Sequence, residues 1–186
     1  MFGFGQLIGI LKKNPKKIVF TEGEDPRILE ASSRLLASYF LHPILIGDEK
    51  RIADAAEESG FNIRGAEIID PEKFDKIDEM VELYCELRKK KGVTPDQARE
   101  ILKQANYFGT MLVKMGFADA LLGGATYSTA DTVRPALQLI KTKPGNNLVS
   151  SCFILVRPSA TGDNEVLAMG DCAINFNPTE DDLVEI

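Results

Sequence analysis

The chain has 186 residues, 44% of them hydrophobic and 27% charged, with a net charge of −6. These proportions suit a folded globular protein with one full domain and part of another, and they exclude a disordered chain. The acidic balance argues against a nucleic-acid partner. No apolar run is long enough to span a bilayer, and residues 1–11 lack the charged start and cleavage site of a secretory leader, so a cytoplasmic protein without membrane contact is expected.

In chain order, Met1 to Leu11 has apolar residues at helical spacing and predicts a short leading helix. Lys16 to Thr21 reads as a buried strand, since Ile18, Val19 and Phe20 are contiguous and β-prone. Asp25 and Pro26 then supply the cap and first turn of a helix running to about Phe40. His42 to Ile46 predicts a second strand, Glu49 to Ser59 a helix closed by Gly60, and Ala66 to Ile69 a third strand. Residues 72–90 predict one long charged helix ended by Gly92, and Thr94-Pro95-Asp96 opens another. Residues 105–115 continue helically to Gly116. The strand Ala118 to Leu122, a Gly123-Gly124 turn and a helix from Thr129 to Lys141 follow.

Strands alternating with helices predict an α/β fold: a three-layer, mainly parallel sheet with helices on both faces. Lys141 to Asn147 reads as a boundary, so residues 1–147 form one α/β domain and 148–186 begin a second. In that later part, Leu148 to Val156 and Val166 to Met169 predict two strands joined by a polar turn, and Asp171 to Asn177 a further short strand. Pro178-Thr179-Glu180 starts a helix that reaches only about two turns before Ile186, so the sequence reads as the front part of a longer protein.

The three cysteines, Cys85, Cys152 and Cys172, fit neither a disulfide framework nor a zinc site, and Cys85 and Cys152 read as buried free thiols. His42, the one histidine, reads as structural, and no histidine-rich metal site is expected. An anion site in so acidic a chain must be a local basic pocket. Arg27, Arg88 and Arg134 are its candidates. The most informative segment is GGATYSTADTVRPALQLIKTKPG, residues 123–145, where a strand ends in glycines and feeds a hydroxyl-rich helix start. Exposed N–H groups and the positive end of the helix dipole both favour a phosphate there.

That segment resembles the signature of the phosphate acetyltransferase (phosphotransacetylase) family. FTEGEDPRILEA (20–31), ELRKKKGVTPDQA (86–98), SSCFIL (150–155) and DCAINFNPTEDDLVEI (171–186) extend the resemblance over essentially the whole chain. The hydroxyl-rich motif and its TVRPALQ continuation are closer to the acetyl enzymes than to the phosphate butyryltransferases or the similar domain of some malic enzymes. The resemblance implies two α/β domains with the active site in the cleft between them. It implies reversible acetyl transfer between acetyl phosphate and coenzyme A, as in acetate metabolism, by direct thiolate attack. No metal and no cofactor are implied: coenzyme A, acetyl phosphate and phosphate are the small-molecule partners, and a homodimer is the expected assembly. The family's later Ser-Arg pair and Asp base fall in a segment this sequence lacks.

By resemblance Arg134 binds an anionic group of coenzyme A or of the acyl phosphate, and its place at a strand-to-helix turn favours that over a surface partner for Asp131. Arg88 matches a coenzyme A arginine, or is a dipole-matched helix end with Lys89 to Lys91. Arg27 matches an arginine near the cleft, or is an exposed first-turn residue. Ser128 and Thr129 would donate to phosphate oxygens, or cap the helix, or divide the two tasks. Tyr127 packs on ligand or domain. Glu22 and Glu24 follow the first strand at the end of the sheet where α/β ligands bind, and Glu22 is a candidate orienting residue. The expected function is therefore acetyl transfer, with Ser128, Thr129 and Arg134 at the chemistry and Arg27, Arg88 and Arg134 holding coenzyme A. A non-catalytic coenzyme A or phosphate module and a butyryl-transferring relative are the alternatives.

Overall fold

The structure, a computed structural model, describes residues 4–158, 164–172 and 174–186. The chain divides into two compact units, Leu11–Ile140 and Met1–Ile10 with Lys141–Ile186. Helix α1 is Phe4–Lys13, ending two residues beyond the Leu11 that the periodicity predicts; Met1 to Gly3 lie outside the described residues.

The unit Leu11–Ile140 is built on four parallel strands: β1 (Lys16–Phe20), β2 (Leu41–Ile46), β3 (Glu67–Ile69) and β4 (Ala120–Leu122). Their order is β3-β2-β1-β4, so β1, first in sequence, is central, with β4 at its side. Side chains alternate across the sheet. Phe20 and Leu45 face one way, onto Ile28 and Leu29 of α2 (Pro26–Ser38) and Ile52 and Ala56 of α3 (Glu49–Ser59). Val19, Ile44 and Ile46 face the other way. There they meet Met80, Val81 and Tyr84 of α4 (Ile77–Leu87), Ala98 and Leu102 of α5 (Pro95–Leu102), and Phe108, Met111 and Leu112 of α6 (Ala105–Lys114). Helices cover both faces, and the expected three-layer, mainly parallel α/β architecture is present. Each fully buried Leu, Ile or Phe in these two cores contributes roughly 1.5–3 kcal/mol.

The helix starts follow the chemistry legible in the sequence. Asp25 caps α2 by accepting from Arg27 N, with Pro26 at the first position. Asp48 caps α3 through Arg51 N, and Gly60 closes it in the left-handed conformation. Thr94 and Gln97 form a reciprocal capping box on α5. Two helix expectations need correction. The helix expected over residues 72–90 begins only at Ile77. Asp70 diverts the preceding backbone, accepting from Glu72 N through its side chain and from Lys73 N through its carbonyl. A separate 3₁₀ turn, Lys89–Lys91, then precedes Gly92. The helix expected from Thr129 to Lys141 is α-helical only over α7 (Thr129–Pro135), and Ala136–Ile140 is a π turn. Pro135 has no N–H for the α ladder and its ring crowds the preceding turn, so the pitch changes there.

The second unit carries an antiparallel ribbon, β5 (Cys152–Pro158) with β6 (Asn164–Gly170), and a short helix α8 (Glu180–Glu185) with a Thr179/Asp182 capping box. Arg157 and Glu165 lie opposite each other and pair at 2.6 Å, so both belong to strands and not to the turn; residues 159–163 of that turn lie outside the described residues. No strand forms over 171–172 or 174–177. Instead the Asp171 carboxylate gathers Ser151 N (2.8 Å), the Ser151 hydroxyl, and Asn175 N and Nδ2 (2.6 and 2.9 Å). These hydrogen bonds, that from the Ser151 hydroxyl first, hold the Asp171 carboxyl well below the usual range. The cysteines are free thiols, but Cys152 is exposed on the ribbon and Cys85 only half-buried, contrary to the buried positions expected.

Helix α6 lies very close to the sheet. A Cβ on Gly109 would stand 3.0 Å from Val19 Cγ1 and 3.1 Å from both Leu121 Cδ1 and Thr21 Cγ2. Gly109→Val is expected to lower unfolding stability by about 1–3 kcal/mol through overpacking, measured as a shift in the urea midpoint. An unchanged midpoint would show that α6 can ride farther from the sheet at no cost.

Candidate functional site

Because β1 and β4 pair in parallel, with Phe20 opposite Leu122, the loops that follow them emerge side by side at the carboxyl end of the sheet. Ligands of open α/β sheets bind at this end. Two glycines shape the second loop for different reasons. A Cβ on Gly123 would come 2.7 Å from the buried Thr21 hydroxyl, and Gly124 has φ +105°. The turn that results points successive N–H groups inward, and an acidic side chain fills it. Glu22 accepts from Gly124 N at 3.0 Å, Ala125 N at 3.1 Å, Thr126 N, and the Thr126 hydroxyl at 2.7 Å. Glu22 is 9% exposed. Burial pushes its carboxyl up, but the Thr126 hydroxyl and the three N–H donors outweigh that and hold it below its ordinary value.

Arg27 fastens the same turn from outside. It grips Asp25 with two bonds, Nε to Oδ1 at 2.9 Å and Nη2 to Oδ2 at 2.7 Å, and Nη2 also donates to the Ala125 carbonyl at 2.8 Å. The guanidinium holds the Asp25 carboxyl below its usual range. Ser128 caps α7, accepting from Asp131 N at 3.2 Å and donating to Asp131 Oδ2 at 2.7 Å. Thr129 opens the helix with its side chain exposed.

Arg134 lies in a different setting. It lines a cleft of about 380 Å³ together with Arg88, at the end of α4. Tyr84 and Tyr107 contribute aromatic surface to the cleft, their rings edge-to-face with centroids 6.4 Å apart. Tyr107 donates to Gln138 Oε1 at 3.4 Å, and Asn106 Nδ2 donates to the Asp131 carbonyl at 2.8 Å, tying α6 to α7. Arg134 Nη1 approaches Asp131 Oδ1 only to 3.8 Å, too far for a good hydrogen bond, and its side chain is 57% exposed. Arg88 Nε is buried with no hydrogen-bond partner among the described residues. Two guanidiniums therefore share one polar cleft, and neither is saturated by the protein.

Of the residues singled out in the sequence, the fold brings Arg88 and Arg134 together from positions 46 apart (134 − 88). It commits Arg27 and Ser128 to internal bonds near the glycine turn. The N–H groups expected to receive a phosphate are occupied by Glu22. Asn106, Tyr107 and Gln138 were not marked by any sequence pattern; only the packing of α6 against α7 and the π turn reveals them. Among the described residues no group of His, Cys, Asp and Glu side chains is arranged to hold a metal ion.

Fold and site together define an α/β protein with an arginine-lined cleft suited to anionic groups. Residues 4–186 match the family model for phosphate acetyl/butaryl transferase, and the chain belongs to that family. It is 45% identical over 176 residues to a phosphate acetyltransferase of Thermoanaerobacterium thermosaccharolyticum, covering 94% of this chain and 53% of the relative. It is 48% identical over 170 residues to one of Bacillus subtilis, covering 91% and 51%. The EutD phosphotransacetylase from Staphylococcus aureus superposes with a TM-score of 0.86 at 41% identity, over 100% of this chain and 56% of that one. The chain thus spans about half the length of these relatives.

Glu22→Gln replaces an acceptor with an amide that turns donors toward donors. It is expected to cost about 1.5–3 kcal/mol at pH 7, the range for hydrogen bonds to a charged group. Because the folded carboxyl titrates below its ordinary 4.5, this contribution is present above that pH and is lost as pH falls through the folded value. Denaturant unfolding at several pH values tests both points: the gap between wild type and Glu22→Gln should close below pH 4.5. A gap that stays constant to lower pH would show that the charge is not the source.

Proposed function

We propose that this chain contributes to an acyltransferase that moves an acetyl group between acetyl phosphate and coenzyme A. The observation that carries the reading is the cleft where Arg88 and Arg134 converge in a chain of net charge −6. Membership of the family and the names of the relatives support the reaction.

In the proposed reaction the coenzyme A thiolate sulfur attacks the acetyl carbonyl carbon. A carbon–sulfur bond forms, the bond from that carbon to the phosphate oxygen breaks, and phosphate departs with the electron pair. The residues here are suited to binding and orientation. Arg134 and Arg88 hold anionic groups of coenzyme A, guanidiniums being matched to paired oxygens. Thr129, exposed at the start of α7, is free to donate to a phosphate oxygen, while Ser128 keeps the helix start in shape. Arg27 adds positive charge beside the glycine turn but spends its donors on Asp25 and Ala125. None of these groups is a base for the thiol: guanidiniums stay protonated and hydroxyls are weak acceptors of a proton. Coenzyme A acts as substrate, with no metal or resident cofactor. The reading includes a cytoplasmic homodimer. No helix among the described residues is long and apolar enough to cross a membrane.

One observation favours a second reading, a coenzyme A or phosphate module without turnover. The donors of the glycine turn are already engaged, which leaves the arginine cleft as the available anion site. Butyryl transfer is the third possibility, and selectivity between acetyl and butyryl phosphate decides it. The test is acetyl-coenzyme A formation by the intact protein. Arg134→Ala and Arg88→Ala are each expected to lower kcat/KM about 10- to 100-fold, the equivalent of one charge-assisted contact. Unchanged kinetics for both would remove the cleft from the site. Coenzyme A that raises Tm without any turnover would favour the module.

A further inference from the structure

We propose that Glu22 is a positioning residue for Arg134, acting through the turn between β4 and α7; this rests on the coenzyme A reading of the arginine cleft. Helix α7 has only seven residues, too few to hold itself in water, so its placement depends on what grips its ends. Its far end changes to a π turn at Pro135, which is buried. One side is tied by Asn106 Nδ2 to the Asp131 carbonyl at 2.8 Å. Its near end follows two residues after Thr126, the residue Glu22 holds through both backbone and hydroxyl. Arg134 lies six residues beyond the Ser128 cap (134 − 128), on the second turn of this short helix.

The turn cannot keep its shape unaided. Gly124 at φ +105° aims N–H groups of Gly124, Ala125 and Thr126 at one point, and converging donors need an acceptor there. Glu22 supplies it from β1's own loop, and β1 is an interior strand, paired with β2 on one side and β4 on the other. Arg27 holds the opposite edge of the turn at the Ala125 carbonyl, 2.8 Å away. The line of support therefore runs from the central strand through a carboxylate to a turn, a cap and finally a guanidinium. The same bonds keep a substrate phosphate out of the turn, since Glu22 already occupies it at 9% exposure.

The test is a double-mutant cycle on the intact protein, read as the coenzyme A Kd by titration calorimetry well below Tm. Arg134→Ala is expected to weaken binding about 10-fold or more, and Glu22→Gln about 10-fold. The double variant should bind no more than about 2-fold worse than Arg134→Ala alone, because Glu22 acts only by aiming that side chain. Losses that multiply would overturn the inference while leaving the cleft reading intact, and so would wild-type affinity in Glu22→Gln. If Arg134→Ala binds coenzyme A like wild type, Arg134 is not a coenzyme A contact and the inference falls, and if Arg88→Ala does so too the cleft reading falls with it. Should Glu22→Gln fail to fold, Thr126→Val removes only the hydroxyl donor at 2.7 Å and enters the same cycle. Its expected loss is about 3-fold, again absent on the Arg134→Ala background, and a loss that persists there counts against the proposal.

Discussion

A single carboxylate surrounded by backbone N–H groups organises the carboxyl end of this sheet. Glu22 and the turn at residues 124–126 are more than 100 residues apart in sequence, and parallel pairing of β1 with β4 makes them neighbours. Three amides and a hydroxyl around one charge form an arrangement in which every member needs the others. Withdrawn from the turn, the carboxylate would be a half-desolvated charge; emptied of the carboxylate, the turn would hold converging donors with no acceptor. The adjacent Gly123 fits the same economy of space, lying where the Thr21 hydroxyl leaves no room for a Cβ.

This constraint sorts the arginines. Arg27, 67% exposed, is nevertheless engaged through Nε and Nη2 as a strut between Asp25 and Ala125. Arg88 and Arg134 are under-used: one has a buried Nε without a partner among the described residues, and the other has only a loose contact with Asp131. Surface ion pairs such as Arg34 with Glu30 or Lys103 with Glu100 contribute little to stability, and in the lining of the cleft two arginines face one acidic residue, Asp131. A basic pocket in an acidic protein draws anions to one place and repels them elsewhere.

The sequence was most readable where structure is local. The contiguous β-prone residues of β1 and β2, the Asp25-Pro26 start and the Thr94 to Gln97 box all carry their reasons within a few positions. It was less readable where a single side chain rewrites the backbone that the periodicity suggests. Asp70 delays the start of α4, Pro135 changes the pitch after α7, and Asp171 draws in Ser151 and Asn175 where a strand was expected. The site divides in the same way. Arg88 and Arg134 stood out by residue type and motif, and Glu22 as an orienting residue, but that Glu22 fills the glycine turn was not legible. A Gly-Gly turn before a hydroxyl-rich helix has the same look whether its anion is a ligand or a glutamate from a neighbouring strand.

The ribbon of β5 and β6 carries its own implication for handling the molecule. Phe153 and Leu155 project toward one side and Ile154 toward the other, and all three are half or nearly half exposed, as are Leu167 and Met169 on the facing strand. Two strands wet on both sides have little to keep them soluble apart from the Arg157–Glu165 pair near one end. Concentrated solutions of this polypeptide by itself should therefore be sticky, and self-association should begin at this ribbon.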